Sequence, residues 1–275
     1  MTRYLWVVAA FVSAAMSFVH PRSVAAQDRL GNTDISKESQ NPVSRIATLP
    51  LRYKAEFGYG AQKETKDVYE LSHALVPIHV NDDWSVITRT QMALTSQPPK
   101  GDTGQRTFGL ENGYTEFFFS PEHGDGFFWG AGPLLYYPSS DSALGPQKWG
   151  TGPTLAFVKL DKSAWVYGGV IQNVWTVGPS GAAGGDTNSL MMNPFFHYNF
   201  GDGWSVGSSP TINANWLAAA DKQWTVPLGG GVSKTSRAGQ QPLKVALESY
   251  YNIVRPAAGQ QTWLMQATVT LLFAD

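Results

Sequence analysis

Residues 204–216 read WSVGSSPTINANW, and the alternation within them decides the fold class. One phase holds Ser205, Gly207, Ser209, Thr211, Asn213 and Asn215, and the other holds Trp204, Val206, Ser208, Pro210, Ile212, Ala214 and Trp216. The first face is wet and the second greasy. Successive side chains of a strand point to opposite faces, whereas a helix returns to one face about every 3.6 residues, so period two reads as strand. The same split runs through 243–254, where Lys244, Ala246, Glu248, Tyr250 and Asn252 oppose Leu243, Val245, Leu247, Ser249, Tyr251 and Ile253. It recurs near the end, where Trp263, Met265, Ala267, Val269, Leu271 and Phe273 oppose Leu264, Gln266, Thr268, Thr270 and Leu272.

Extended along the chain, this reading gives about twelve segments of roughly 10 to 13 residues, the length a tilted strand needs to cross a bilayer. They begin near Pro50, Val68, Trp84, Leu110, Phe127, Trp149, Ala164, Ser189, Trp204, Gln223, Leu243 and Thr262. The connections alternate in length. Residues 81–83, 121–126, 161–163 and 201–203 are short, whereas 58–67, 97–109, 139–148 and 178–188 are long. Short periplasmic turns, longer outer loops and an even strand number mark an outer-membrane barrel. Two connections break the rule: 234–241 should be short and 217–222 should be long.

Tryptophan supplies a second signal, because an amphipathic indole prefers the membrane interface. On this topology Trp84, Trp129, Trp165 and Trp204 fall near the periplasmic strand ends, and Trp149, Trp175, Trp216, Trp224 and Trp263 near the outer ends, as an interface girdle. A soluble β-sandwich or lipocalin-like barrel, the competing reading, would bury most of them in its core.

Composition agrees. The 275 residues include 28 Gly and 17 Pro, too many to place comfortably in helices, and only 15% are charged. There is no Cys, so no disulfide framework and no thiolate metal site is available. Residues 1–26 have Arg3, an apolar run from Leu5 to Val19 and the close Val24-Ala25-Ala26, which reads as a secretory signal cleaved before Gln27. Cleavage removes Arg3 and Arg22, leaving 18 basic and 21 acidic residues, a net charge near −3 that gives no broad basic surface for nucleic acid. The expected organisation is a signal peptide over 1–26, a periplasmic extension over 27–48, and an all-β, antiparallel transmembrane β-barrel over 49–275.

Several stretches also resemble a bacterial envelope family. They are NPVSRIATLP from Asn41, DDWSVITRT from Asp82, GAGPLLYYP from Gly130, KWGTGPTLAFV from Lys148, GDGWSVGSSPTINANW from Gly201, WTVPLGGGVSK from Trp224 and YYNIVRP from Tyr250. The family is often labelled "neuromedin U" or transporter, and is similar to the outer-membrane family named for the MetA pathway of phenol degradation. The resemblance covers nearly all of the chain after Asn41. It implies a Gram-negative outer-membrane barrel, a porin-like channel for hydrophobic or aromatic compounds, and assigns no catalytic residue. Such barrels commonly end on an aromatic residue read by the assembly machinery, and here Phe273 is followed by Ala274 and Asp275.

If the apolar phase faces lipid, the other lines the lumen. The candidate path comprises Arg52, Lys54, Glu56, Glu70, Arg89, Gln91, Glu116, Asn193, His197, Asn213, Asn215, Lys244, Glu248, Tyr250, Asn252 and Gln266. The ionisable members are evenly divided in sign, which reads first as paired charges bracing the interior and second as a solute path. Phe128, Tyr136, Phe195 and Tyr250 share the lumen phase and would narrow it. The runs 130–132, 150–152 and 229–231 look like phosphate loops, but none leads into a helix; they mark curvature or close backbone approach. Prolines 133, 153, 194, 210 and 227 fall inside expected strands, where bulges should accommodate them. Of the histidines only His197 lies in an expected strand beside in-phase amides, Asn193 and Asn199, and no serine is fixed beside it by spacing, so no Ser-His-acid triad assembles. His123 with Glu122 and Asp125 lacks a second histidine for a metal and reads as a solvated turn.

The reading is a monomeric outer-membrane barrel that passes small, hydrophobic or aromatic solutes passively, with no enzymatic activity, cofactor or metal. Its partners are outer-membrane lipid, the barrel-assembly machinery and the small-molecule solute. The alternatives are a closed scaffold or adhesin barrel and an outer-membrane lipid hydrolase.

Overall fold

A computed structural model describes residues 31–99, 104–160, 162–178, 185–256 and 261–273. The expected signal peptide, and Ala274 and Asp275, lie outside them. After one short helix, α1 (Asn32–Glu38), come fourteen strand segments. They are β1 (Ala47–Tyr59), β2 (Glu64–His79), β3 (Trp84–Gln97), β4 (Thr107–Leu110), β5 (Tyr114–Pro121), β6 (Phe127–Tyr136) and β7 (Gly150–Leu160). There follow β8 (Trp165–Thr176), β9 (Asn188–Gly201), β10 (Trp204–Ser208), β11 (Ile212–Asn215), β12 (Trp224–Ala238), β13 (Gln241–Val254) and β14 (Trp263–Phe273). Both β4 and β5 pair with β3, and both β10 and β11 lie between β9 and β12, so each pair is one interrupted strand and the barrel has twelve. Every pairing is antiparallel, and β1 closes the sheet on β14 from Ala47↔Phe273 to Phe57↔Trp263.

The greasy phase faces outward. Leu51, Phe119, Leu155, Phe196, Leu228, Leu247 and Met265 are all exposed, a band that water would penalise and hydrocarbon accepts. The opposite phase is buried, with Ser85, Ile87, Arg89, Thr95, Glu116 and Phe118 turned inward from β3 and β5.

Two connections correct the expected loop pattern. The one after β1 is a four-residue turn, 60–63, because β2 begins at Glu64 rather than near Val68. Its first residues are charged since Lys66 faces the lumen and pairs with Glu56 and Glu111, so a strand end resembles a loop. The apparent long connection near 234–241 is the two-residue turn Gly239-Gln240, where Gly239 takes a φ of 63° that favours glycine. That restores the short-turn rule at the end where it had failed.

Prolines behave less uniformly than expected. Pro210 sits in the gap between β10 and β11, and a register shift falls at Pro227. Pro133 and Pro153 instead face each other across β6 and β7 in unbroken register, and Pro194 pairs with Gly169 without a shift. Register shifts also arise without proline, among them the one between Leu71 and Ala74, which contains His73 at a φ of 60°.

The segment before β1 folds into the end of the barrel where β1 begins and β14 ends. Seven residues make a marginal helix alone, and packing holds this one. Ile35 packs with Ile46 and Leu272, while Val43 joins the interior cluster around Ile87, Phe118 and Val158.

Candidate functional site

The lumen has two unlike walls. From β5 to β9 it is filled by Phe118, Ala156, Val158, Val166, Val170 and Phe195, with Phe128 and Leu160 against them. From β12 through β14 to β2 it is polar. Between the walls runs a cavity of about 460 Å³, bounded near the loop end by Asn252 and Gln261 and floored by Ser39, Gln40, Asn41 and Pro42.

Of the sequence-derived path residues, Arg52, Lys54, Glu56, Glu70, Arg89, Gln91, Asn193, His197, Asn213, Lys244, Glu248, Tyr250, Asn252 and Gln266 line this cavity. Glu116 does not. It is fully buried beside a small adjoining void of about 10 Å³, where Thr154 donates to it at 2.8 Å and Arg89 pairs with it at 3.2 Å. Asn215 is also absent from the lining, since the end of β11 turns there and its carboxamide accepts from the Leu217 N–H at 3.0 Å. Among the bulky residues, Tyr250 and Phe195 reach the cavity, while Phe128 and Tyr136 join apolar clusters.

The charges interlock. Glu70 receives Lys54 at 3.2 Å and Arg52 at 3.9 Å, Arg52 also donates to Thr268 at 3.1 Å, and Lys66 lies 3.6 Å from Glu56 and 2.5 Å from Glu111. Glu248 accepts from Tyr250 at 2.7 Å and from Gln266 at 2.6 Å. Buried ions need partners of this kind because an isolated charge in low dielectric is costly.

Sequence spacing missed three features. Ser209 lies with its hydroxyl 3.0 Å from His197 Nε2, brought there by the interruption between β10 and β11. A Cβ at Gly207 would collide with His197 Nδ1 and the Phe196 carbonyl, so the absent side chain leaves the space that the ring occupies. His73, carried inward by its bulge, meets the Tyr114 hydroxyl at 2.8 Å.

The third is the floor itself. Residues 27–48 read as a polar periplasmic extension, yet Ser36 donates to Asn199 Oδ1 at 3.1 Å, as does Gln40, and Asn199 returns a bond to Gln40 Oε1 at 3.2 Å. Lys37 donates to the Ser163 carbonyl at 2.9 Å, and Lys244 to Ser39 Oγ at 3.2 Å. At the rim, Arg45 clamps Glu122 at 2.9 Å and the Pro121 carbonyl at 2.6 Å. Burial works to raise the Glu122 carboxyl, but hydrogen bonds from Ser85, Arg45 and His79 together outweigh it and hold it below the ordinary carboxylate range. Glu38 is the reverse: burial pushes it up, against the opposing bond from Ser44. Glu122 is thus taken up by the clamp rather than grouped with His123.

Eight of the nine girdle residues, Trp84, Trp129, Trp149, Trp165, Trp175, Trp204, Trp216 and Trp263, are exposed on the outer face, and Trp224 is half-buried edge-on against Trp216. Trp84 also meets Trp129 edge-on at the turn end, and Tyr251 packs on Trp263 at the loop end.

Neither a protein-family model nor a curated protein sequence matches the chain. Solved structures do. An outer-membrane channel from Pseudomonas putida F1 is similar with a TM-score of 0.60 at 15% identity, over 83% of this chain and 95% of that one. A NanC porin is similar with a TM-score of 0.51 at 11% identity, over 82% of this chain and 100% of that one. At these identities the likeness is one of fold, and the chain folds as a closed, twelve-stranded antiparallel β-barrel of the outer-membrane type.

Proposed function

We propose that the chain is an outer-membrane channel, exported through its signal peptide, that passes small hydrophobic or aromatic solutes passively through the lumen. The observation that carries this reading is the cavity of about 460 Å³ inside a barrel whose outer face is apolar. About eight strands leave room for side chains alone and 16 to 18 leave a wide channel; twelve with one wall filled leave a narrow path. Polar residues along one wall carry the polar end of a solute, and Phe195, Val170 and Met191 on the other accept its apolar part. Residues 32–46 stand across one end, so passage requires that segment to yield. The resemblance to the phenol-degradation family and the two channel-like neighbours point the same way.

The hydrolase alternative gains the His197–Ser209 contact, but among the described residues no carboxylate bonds to His197 Nδ1, and the Ser209 N–H is occupied by the Tyr250 hydroxyl. A triad needs the acid and an oxyanion hole needs free donors. Osmotic swelling of proteoliposomes tests the channel. Phenylalanine is expected to enter faster than in protein-free vesicles, with a disaccharide excluded; equal rates with and without folded protein would sink the reading.

A further inference from the structure

The polar wall carries more cation than its carboxylates balance. Arg52 and Lys54 of β1 both turn to one acid, Glu70 of β2. Lys244 of β13 has one hydrogen bond, to Ser39 Oγ, and among the described residues no carboxylate lies within ion-pair distance of it. Glu248, a further acid on this wall, is already bonded by Tyr250 and Gln266. With Glu56 taken up by Lys66, these three cations face two carboxylates, a local excess of one positive charge. Register sets the three together: Arg52 pairs with Thr268 and Lys54 with Gln266 on β14, and the next residue inward-facing on that strand, Thr270, pairs with Lys244. Two strand spacings, about 10 Å, separate the β1 and β13 backbones, and along the strands Lys244 stands about 7 Å from the level of Arg52 and about 13 Å from that of Lys54.

Elsewhere the charges do not cancel this excess at close range. Arg89 is matched by Glu116. Lys66 lies between Glu56 and Glu111 towards the loops, and Glu56, two residues or about 7 Å along β1 from Lys54, is taken up by Lys66 at 3.6 Å. Across the cavity Val170, Met191 and Phe195 give the facing wall an apolar surface, beside Asn193 and His197.

We propose that the cavity is a binding site for a small organic carboxylate, its acid group held by Arg52, Lys54 and Lys244 and its apolar body laid on Phe195, Val170 and Met191. The proposal rests on the channel reading and names the class of solute. A carboxylate accepts charge-assisted hydrogen bonds from all three cations at once, and Lys244, with only a hydroxyl acceptor, gains most. The apolar wall gives the rest of the molecule a surface that the polar wall cannot.

Titration calorimetry of the folded, detergent-solubilised mature chain tests this, with benzoate, its neutral isostere benzamide, and acetate. Benzoate is expected to bind about tenfold tighter than benzamide, as a bond between ions contributes more than one between neutral groups. Acetate, lacking the apolar body, is expected to bind more weakly than benzoate. Lys244→Met is expected to weaken benzoate about tenfold and leave benzamide unchanged. Glu248→Gln, which removes the nearest acid, should tighten benzoate, a gain that damage to the fold would not produce. Equal binding of benzoate and benzamide, no heat from either, or a benzoate affinity indifferent to both substitutions overturns the proposal. A chain that passes phenylalanine in the swelling assay but fails here loses the carboxylate site and keeps the channel. One that binds benzoate and passes nothing keeps the site and loses the channel.

Discussion

Arg89 and Glu116 face each other inside the barrel, 9% and 1% exposed, so neither can turn to water if its partner is lost. Arg89→Met is expected to cost about 3–5 kcal/mol in urea unfolding from detergent, because it strands a buried carboxylate, and the double variant with Glu116→Leu should recover much of that. A flat response to the single change would mean that Thr154 alone satisfies the acid. Gly207 poses a steric question of the same size. Gly207→Ala sets a methyl against His197 Nδ1 and the Phe196 carbonyl, so thermal stability should fall by about 1–3 kcal/mol and the His197–Ser209 contact should break. These side chains differ in how readily the sequence reveals them. Arg89 and Glu116 betray themselves by phase, Arg89 alternating with Val86, Thr88 and Thr90, and Glu116 with Thr115, Phe117 and Phe119. Ser209 does not, because the contact depends on a chain interruption at Pro210 that alternation alone does not place.

At the scale of elements, the strands announce themselves and the floor does not. A strand between lipid and a wet lumen must alternate, so Trp204 to Trp216 and Leu243 to Val254 carry their own assignment. Residues 31–46 lie inside a polar lumen, where side chains survive burial by hydrogen bonding, so Ser36, Gln40 and Asn41 look like an exposed tail. Within residues 31–45, Ile35 and Val43 are the apolar hints of docking. The same segment should respond to pH. Glu122 has its folded-state carboxyl held down, so its contribution to docking is fully present above the ordinary carboxylate range and is lost as pH falls through the depressed value. Glu38 is raised, so its contribution is full below the ordinary range and is lost as pH rises through its higher value. Proteolysis of residues 31–46 in the folded barrel should therefore quicken in strong acid, and Glu122→Gln should remove that acid limb. An acid limb of unchanged size in the variant would assign the response to other carboxylates.

For the molecule as a whole, closure of β1 on β14 removes every sheet edge, and the outward apolar band then needs hydrocarbon. The tryptophans report its height. Lipids brominated near the headgroup should quench the mature chain's fluorescence strongly and lipids brominated near the chain ends weakly, since the indoles sit at the two rims; uniform quenching at all depths would deny the girdle. Strand number, phase and closure were legible because the bilayer imposes them on every strand alike. The filled wall from β5 to β9 and the occupied floor were not, because the lumen has no such uniform solvent and each residue there answers to its own neighbours. The most direct measurement is conductance in a planar lipid bilayer, comparing the mature chain with an Ile35→Asp, Val43→Asp variant whose N-terminal segment can no longer dock. The account predicts discrete steps from the variant that are larger or more frequent than those of the parent. A folded, inserted variant that stays silent would contradict it, and would leave a closed barrel with no path through its lumen.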